Sequence, residues 1–169
     1  MQNKDSGKND SNTFCPMARA LERVGEQWSM LILRDAFDGL TRFDEFQKSL
    51  GIASNMLTRR LNTLVEQGLL ERRPYCQRPP RFEYILTARG RDFRPVLLML
   101  MAWGTQHFSP EGPMLMLVDQ STGAPVETAL VDRASGKVIN GDEHIWVAGP
   151  AATEGMKLRL ARRAKPVSQ

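Results

Sequence analysis

Apolar residues recur at helical spacing through most of the first 108 positions, and glycines punctuate them. Met17, Ala20, Leu21 and Val24 stand at i, i+3, i+4 and i+7, which predicts an amphipathic helix that starts at Cys15-Pro16 and stops at Gly25. Trp28, Leu31, Ile32 and Phe37 predict a second helix over about 28–37, ended by Gly39. Phe43, Phe46 and Leu50 mark a third, capped by Thr41 and closed by Gly51. A three-residue turn at 52–54 leads to a fourth, whose Leu57, Leu61 and Leu64 share one face. Strands are expected at 70–73 and 82–86, with the intervening PYCQRPPR as a loop because it is too rich in proline to continue either one. Thr87 then caps one long helix carrying Phe93, Val96, Leu97, Leu100, Met101 and Phe108, bent near its first turns by Pro95.

The pattern changes after Ser109-Pro110. Leu117–Val126 and Leu130–Ile139 repeat Leu-Val-Asp, then Thr or Ser, then Gly, at a period of 13 residues. Each copy predicts a strand, a polar turn and a second strand, and His144–Val147 is expected to add one more. The chain therefore divides into a polar, disordered arm (1–13), a helix-rich domain (14–108), a small β extension (109–152) and a basic, helix-compatible tail (153–169). The fold class expected is α+β.

Charge sharpens this division. The net charge is only +4, but residues 14–108 carry 14 Lys and Arg against 10 Asp and Glu, residues 109–152 carry 2 against 6, and residues 153–169 carry 5 against 1. Basic groups thus collect in the first domain and the tail, as suits a polyanionic partner. No apolar stretch reaches the roughly 20 residues of a membrane helix, and the N-terminus lacks the apolar core of a secretory signal. Cys15 and Cys76 form neither a disulfide framework nor a zinc pattern, so a cytoplasmic, nucleoid-associated protein without cofactor is expected.

Two short helices joined by a tight turn, the second polar and basic on its outer face, have a helix-turn-helix layout, and the hairpin supplies a wing. DNA binding needs cations for phosphates and short polar groups for base edges. Ser54, Asn55, Thr58, Arg59 and Asn62 occupy the outer face of the fourth helix, where Arg59 is suited to guanine and Asn55 to adenine. Arg72, Arg78 and Arg81 supply the wing's positive charge. The alternative is a winged helix that docks protein rather than DNA. Such a helix would present apolar or aromatic anchors, and this face presents none. An enzyme in the C-terminal segment lacks parts: Asp119, Asp132, Ser135 and His144 are not placed as nucleophile and base by any motif.

The blocks CPMARALERVGEQWSMLILRDAFDGLTRFDEF, LTRRLNTLVEQGLLERRPY and PPRFEYILTARG, followed by Trp103-Gly104, resemble the HxlR family of bacterial regulators over Cys15 to about Phe108. The resemblance implies a winged helix-turn-helix homodimer on a pseudo-palindromic operator in double-stranded DNA; repression is the expected role, with activation left open. Helix one and the long fifth helix would build the interface, through Met17, Leu21, Leu97, Leu100, Met101 and Trp103; the competing reading of each is core within one chain. The family commonly writes Gly-Ile-Ser before the reading helix, and here Ala53 replaces the serine. Ser54 either takes over the cap or contacts a base.

Some members use the N-terminal cysteine as a redox or electrophile sensor. Cys15, at a helix N-terminus with Arg19 one turn on, is either such a sensor or an inert interface residue. The signal is accordingly oxidation at Cys15 or a small-molecule effector, and Cys76 in the wing is a remote candidate for thiol exchange. Longer members carry a zinc ribbon with Cys-Gly knuckles. Here those turns read Thr122-Gly123 and Ser135-Gly136, so a metal-free extension is expected. His107 and His144 are taken as structural.

Overall fold

The computed structural model describes residues 15–141 and 143–163, so the expected arm at 1–13 lies outside the described residues. In chain order the elements are α1 (Pro16–Val24), α2 (Gln27–Phe37), α3 (Phe43–Leu50), α4 (Ser54–Glu66), β1 (Leu70–Gln77), β2 (Pro80–Leu86), α5 (Ala88–Arg91), α6 (Arg94–Phe108) and α7 (Glu154–Arg163). Helices and a two-stranded antiparallel hairpin make this an α+β fold. The described residues form two compact units: Arg23–Ala129 is one, and those up to Glu22 together with those from Leu130 onward are the other.

The core of the Arg23–Ala129 unit is built by Ile32 and Leu33 of α2, Phe46 of α3, and Leu57, Leu61 and Leu64 of α4, all fully buried. The leucines of α4 fall on the face their spacing predicts. In α2 the pattern shifts by one residue: Leu33 is buried, whereas Trp28 and Leu31 are only half-buried. The physical reason is that α2 packs against α3, α4, β2 and α6, so its apolar stripe is wider than a single-sided helix requires.

Thr41 does not cap α3. Arg42 is the cap residue, and the Glu45 carboxylate reaches back to accept the amide N–H groups of Thr41 and Arg42 at 2.9 and 2.8 Å. These two bonds hold the Glu45 carboxyl below the ordinary glutamate value. Residues 41 and 42 also border the hairpin. The Tyr84 amide donates to the Thr41 carbonyl at 2.7 Å, and Arg42 bridges Glu83.

The hairpin is longer than its proline content suggests. Pairing runs from Leu70 opposite Leu86 to Gln77 opposite Pro80, with an irregularity between Pro74 and Cys76 that accommodates Tyr75. A two-stranded ribbon tolerates proline because each strand has one edge where an absent N–H breaks no ladder bond. Pro74 and Pro80 both lie within the strands, and only Arg78-Pro79 turns the chain.

The single long helix expected after the wing is two helices. Thr87 does cap, accepting the Gly90 amide at 3.0 Å, while its hydroxyl donates to the Gly68 carbonyl at 2.6 Å and its amide to the Leu69 carbonyl at 3.1 Å. Gly90 lies so close to this strand entry that a Cβ there would stand 2.1 Å from the Leu69 oxygen, a distance no side chain can occupy. The capped turn is only α5. The chain breaks at Asp92-Phe93, and Pro95 begins α6 in its first turn instead of bending a continuous helix.

Both copies of the repeat form the same small hairpin. Val118 bridges Pro125 in the first, and Val131 bridges Val138 in the second. Asp119 accepts from the amides of Ser121 and Thr122, and Asp132 from those of Ala134 and Ser135. Each hairpin is thus a side-chain-closed turn with an isolated bridge, and no extended ladder forms. No strand forms at His144–Val147.

Candidate nucleic-acid interface

The helix-turn-helix is α3, the turn at 51–53, and α4. Burial of Leu57, Leu61 and Leu64 fixes the rotation of α4, and the same rotation turns Ser54, Asn55, Thr58, Arg59 and Asn62 to solvent. All five predicted readers therefore share one exposed surface. Their local bonding differs. Ala53 is the cap residue of α4 and supplies no side-chain hydrogen bond. Ser54 does not replace it: its hydroxyl accepts from Gln47 Nε2 of α3 at 2.7 Å. The vacant role falls to Asn55, whose Oδ1 accepts the Met56 amide at 2.7 Å. Thr58 donates its hydroxyl to the Ser54 carbonyl at 2.8 Å. Arg59 extends from the helix, and among the described residues none pairs with it.

The wing carries Arg78 and Arg81 at its tip, both exposed and likewise unpaired among the described residues. Arg72 is also exposed, but its guanidinium lies over the Phe82 ring at 3.6 Å, which fixes its direction along the strand. Cys76 is half-buried in the wing and its Sγ donates to the Arg78 carbonyl at 3.6 Å.

Two positioning contacts escaped the sequence reading. The Arg42 guanidinium sits 4.8 Å from the centre of the Tyr75 ring, joining the start of α3 to the irregular part of the wing. Arg60, adjacent to the candidate reader Arg59 but only 13% exposed, pairs with Glu26 at 2.9 Å and so ties α4 to the residue that begins α2. A polar side chain one position off the reading face is the sole sequence signal for the second; nothing local signals the first.

The dimer candidates divide. Leu97 is buried in the core of its own unit, whereas Leu100, Met101 and Trp103 of α6 are exposed, as are Met17 and Leu21 of α1. Trp103 packs edge-on against Phe108 and is 5.9 Å from the His107 ring, leaving an aromatic cluster at the end of α6. Cys15 is half-buried ahead of α1. The Ala18 and Met17 amides hold its thiol below the ordinary cysteine value, with Arg159 of α7 adding a hydrogen bond and a charge; partial burial opposes them. Asn140 donates its amide to His144 Nδ1 at 3.4 Å. No group of three His, Cys, Asp or Glu side chains that could hold a metal exists among the described residues, and none of the described helices is long and apolar enough to cross a membrane.

A reading helix with a polar outer face, docked beneath a basic two-stranded wing, defines a winged helix-turn-helix transcriptional regulator. Comparison with known proteins agrees. The HxlR-like helix-turn-helix model matches residues 23–112, and the chain belongs to that family. It is 40% identical over 146 residues to the HTH-type transcriptional regulator Rv3095 of Mycobacterium tuberculosis, covering 86% of this chain and 90% of that one. Among solved structures, the Pseudomonas aeruginosa transcription factor PA1374 is 55% identical, with a TM-score of 0.63 over 86% of this chain and all of the other. The transcription factor PA1607 is 40% identical, with a TM-score of 0.72 over 80% and 96%. The redox regulator HypR in its oxidised form is 35% identical, with a TM-score of 0.51 over 55% and 97%.

Proposed function

We propose that the protein is a repressor that binds a pseudo-palindromic operator as a homodimer, with α4 in the major groove. The observation that carries this reading is the shared exposure of Asn55, Thr58, Arg59 and Asn62 on one face of α4, flanked by Arg78 and Arg81 of the wing. Arg59 contacts a guanine edge, Asn62 and Thr58 extend the polar surface, and Arg72, Arg78 and Arg81 meet phosphates or the minor groove. Two copies are needed because one reading helix covers only a half-site. Exposed Leu100, Met101 and Trp103 on α6, with Met17 and Leu21 on α1, supply apolar surface for that pairing. The helix-turn-helix and wing act as the DNA-binding and dimerising domain (14–108), with the β extension (109–152) and basic tail (153–169) as appendages. The chain works in the cytoplasm on the nucleoid and carries out no catalysis.

Cys15 serves as the signal-receiving residue. The support is its lowered thiol value and partial exposure, together with likeness to a redox regulator. Selection of bound duplexes from a random pool tests the DNA reading. Enrichment of two inverted half-sites about one helical turn apart is expected. Recovery of unenriched sequence would overturn sequence-specific binding and favour a protein-docking role.

A further inference from the structure

Within the Arg23–Ala129 unit, α2, α6 and the segment from Met114 to Thr128 line a half-open cavity of about 740 Å³. That volume lies within the range of sites that hold small molecules. Leu97, Leu98 and Met101 of α6 form one wall, and Leu115 with Leu117 and Val126 of the first repeat hairpin form another. Met101, Met114 and Met116 all line it, and flexible thioether side chains adapt to ligands of irregular shape. Its charged lining residues are Arg34, Arg94, Asp38 and Glu127. Arg34 is further committed to the buried Asp35 carboxylate, at 2.6 and 2.9 Å. With Arg34 so neutralised, Arg94 stands against Asp38 and Glu127, and the lining holds no net positive charge to attract an anion.

A second copy of the chain is the competing occupant, and the geometry of α6 separates the two. At about 100° per residue, Val96, Leu100, Trp103 and His107 form one stripe, while Arg94, Leu97, Leu98, Met101 and Thr105 form another on the opposite side. The cavity uses the second stripe together with Ala102, Gly104 and Gln106, and none of the first. The first presents exposed Val96, Leu100 and Trp103 for pairing between copies, and of the pairing residues proposed on α6 only Met101 also lines the cavity.

We infer that this cavity is the binding site for an uncharged, predominantly apolar small molecule, which acts as an effector of the regulator. The effector role rests on the DNA-binding reading above; the site itself does not. One wall is α2, which packs against α4, so occupancy bears on the element that positions the reading helix.

The test uses the full chain and the neutral fluorophore N-phenyl-1-naphthylamine. Saturable binding of one dye per chain is expected. Ala102→Phe, which fills the cavity from α6, should raise the dissociation constant at least about tenfold with unchanged circular dichroism. Met116→Asp, from the opposite wall, gives the same readout if the first variant fails to fold. Trp146→Ala, an exposed apolar position in the other unit, should leave binding unchanged. Wild-type affinity in both cavity variants would overturn the site. So would dye release as chain concentration rises into the dimeric range, which would assign the cavity to a second copy. Tighter binding of an anionic naphthalene sulfonate would overturn the ligand class. Intact dye binding with no operator binding would sink the DNA reading alone.

Discussion

Asn55 accepts the Met56 amide at the start of α4, in the place where the family serine would cap and Ala53 cannot. One residue thereby holds the helix end and belongs to the surface proposed to meet DNA. Restoring the missing cap should separate these tasks. Ala53→Ser is expected to stabilise the chain by about 0.5–1 kcal/mol in denaturant unfolding. Asn55→Ala should cost a similar amount in the wild type and less in the Ala53→Ser background, so a double-mutant cycle reads the coupling. Additive effects would show that Asn55 does not do the capping.

Arg59 and Arg78 should fail in different ways. Arg59→Ala is expected to relax preference at one half-site position, at a cost of about 1–3 kcal/mol for the preferred base. Arg78→Ala should weaken all duplexes alike and reduce the salt slope by about one. Salt titrations against matched and mismatched duplexes distinguish them, and equal loss on every duplex for both variants would remove Arg59 as a base reader.

The Arg60–Glu26 pair predicts a stability effect without a change of specificity. Arg60 is mostly buried and Glu26 is 62% exposed, so the Coulombic gain is screened, but removal of the carboxylate leaves a guanidinium poorly solvated. Glu26→Gln should destabilise by about 1 kcal/mol and leave the base preference of the purified variant unchanged. A shift in base preference would show that α4 moves when the pair is lost.

Cys15 should react with a thiol-specific alkylating agent at a lower pH than an ordinary cysteine, because two amides and Arg159 stabilise its thiolate. Arg159→Met should move the reactivity profile toward higher pH. Cys15→Ser should bind operator normally yet ignore peroxide and quinones. A wild-type protein equally indifferent to these agents would retire Cys15 as the sensor.

Asp119 is held at about 2 by the Ser121 and Thr122 hydroxyls and then by their amides. A depressed carboxyl stabilises its turn above the unfolded value and loses that effect as pH falls toward the folded one. The first repeat hairpin should therefore keep its turn through the pH 4 region and open only near pH 2, as followed by the Asp119 carboxyl carbon in NMR. Titration at the ordinary aspartate value would show that the turn is not formed in solution.

The sequence made the buried and exposed sides of α4 legible because helical periodicity is a strong signal. Three leucines at positions 57, 61 and 64 were enough to assign the exposed side of α4. It was weaker where tertiary contacts override local preference. Pro74 and Pro80 argued against strand continuation, yet an edge position accommodates both. Thr87 and Pro95 looked like a cap and a bend of one helix because a break at Asp92-Phe93 leaves no distinctive residue. The Arg42–Tyr75 stack and the Arg60–Glu26 pair join residues 33 and 34 positions apart, and no window along the chain contains them.

The interlock of Thr87 and Gly90 with the Gly68–Leu69 carbonyls has a mechanical consequence. The root of the wing and the turn that launches α6 behave as one rigid joint, since Thr87 bonds to both and Gly90 admits no filler between them. Torque applied along α6 reaches this joint only through Asp92-Phe93, the break between α5 and α6. Lengthening that break by inserted glycines would act as a clutch, leaving both ends folded while disconnecting their motions.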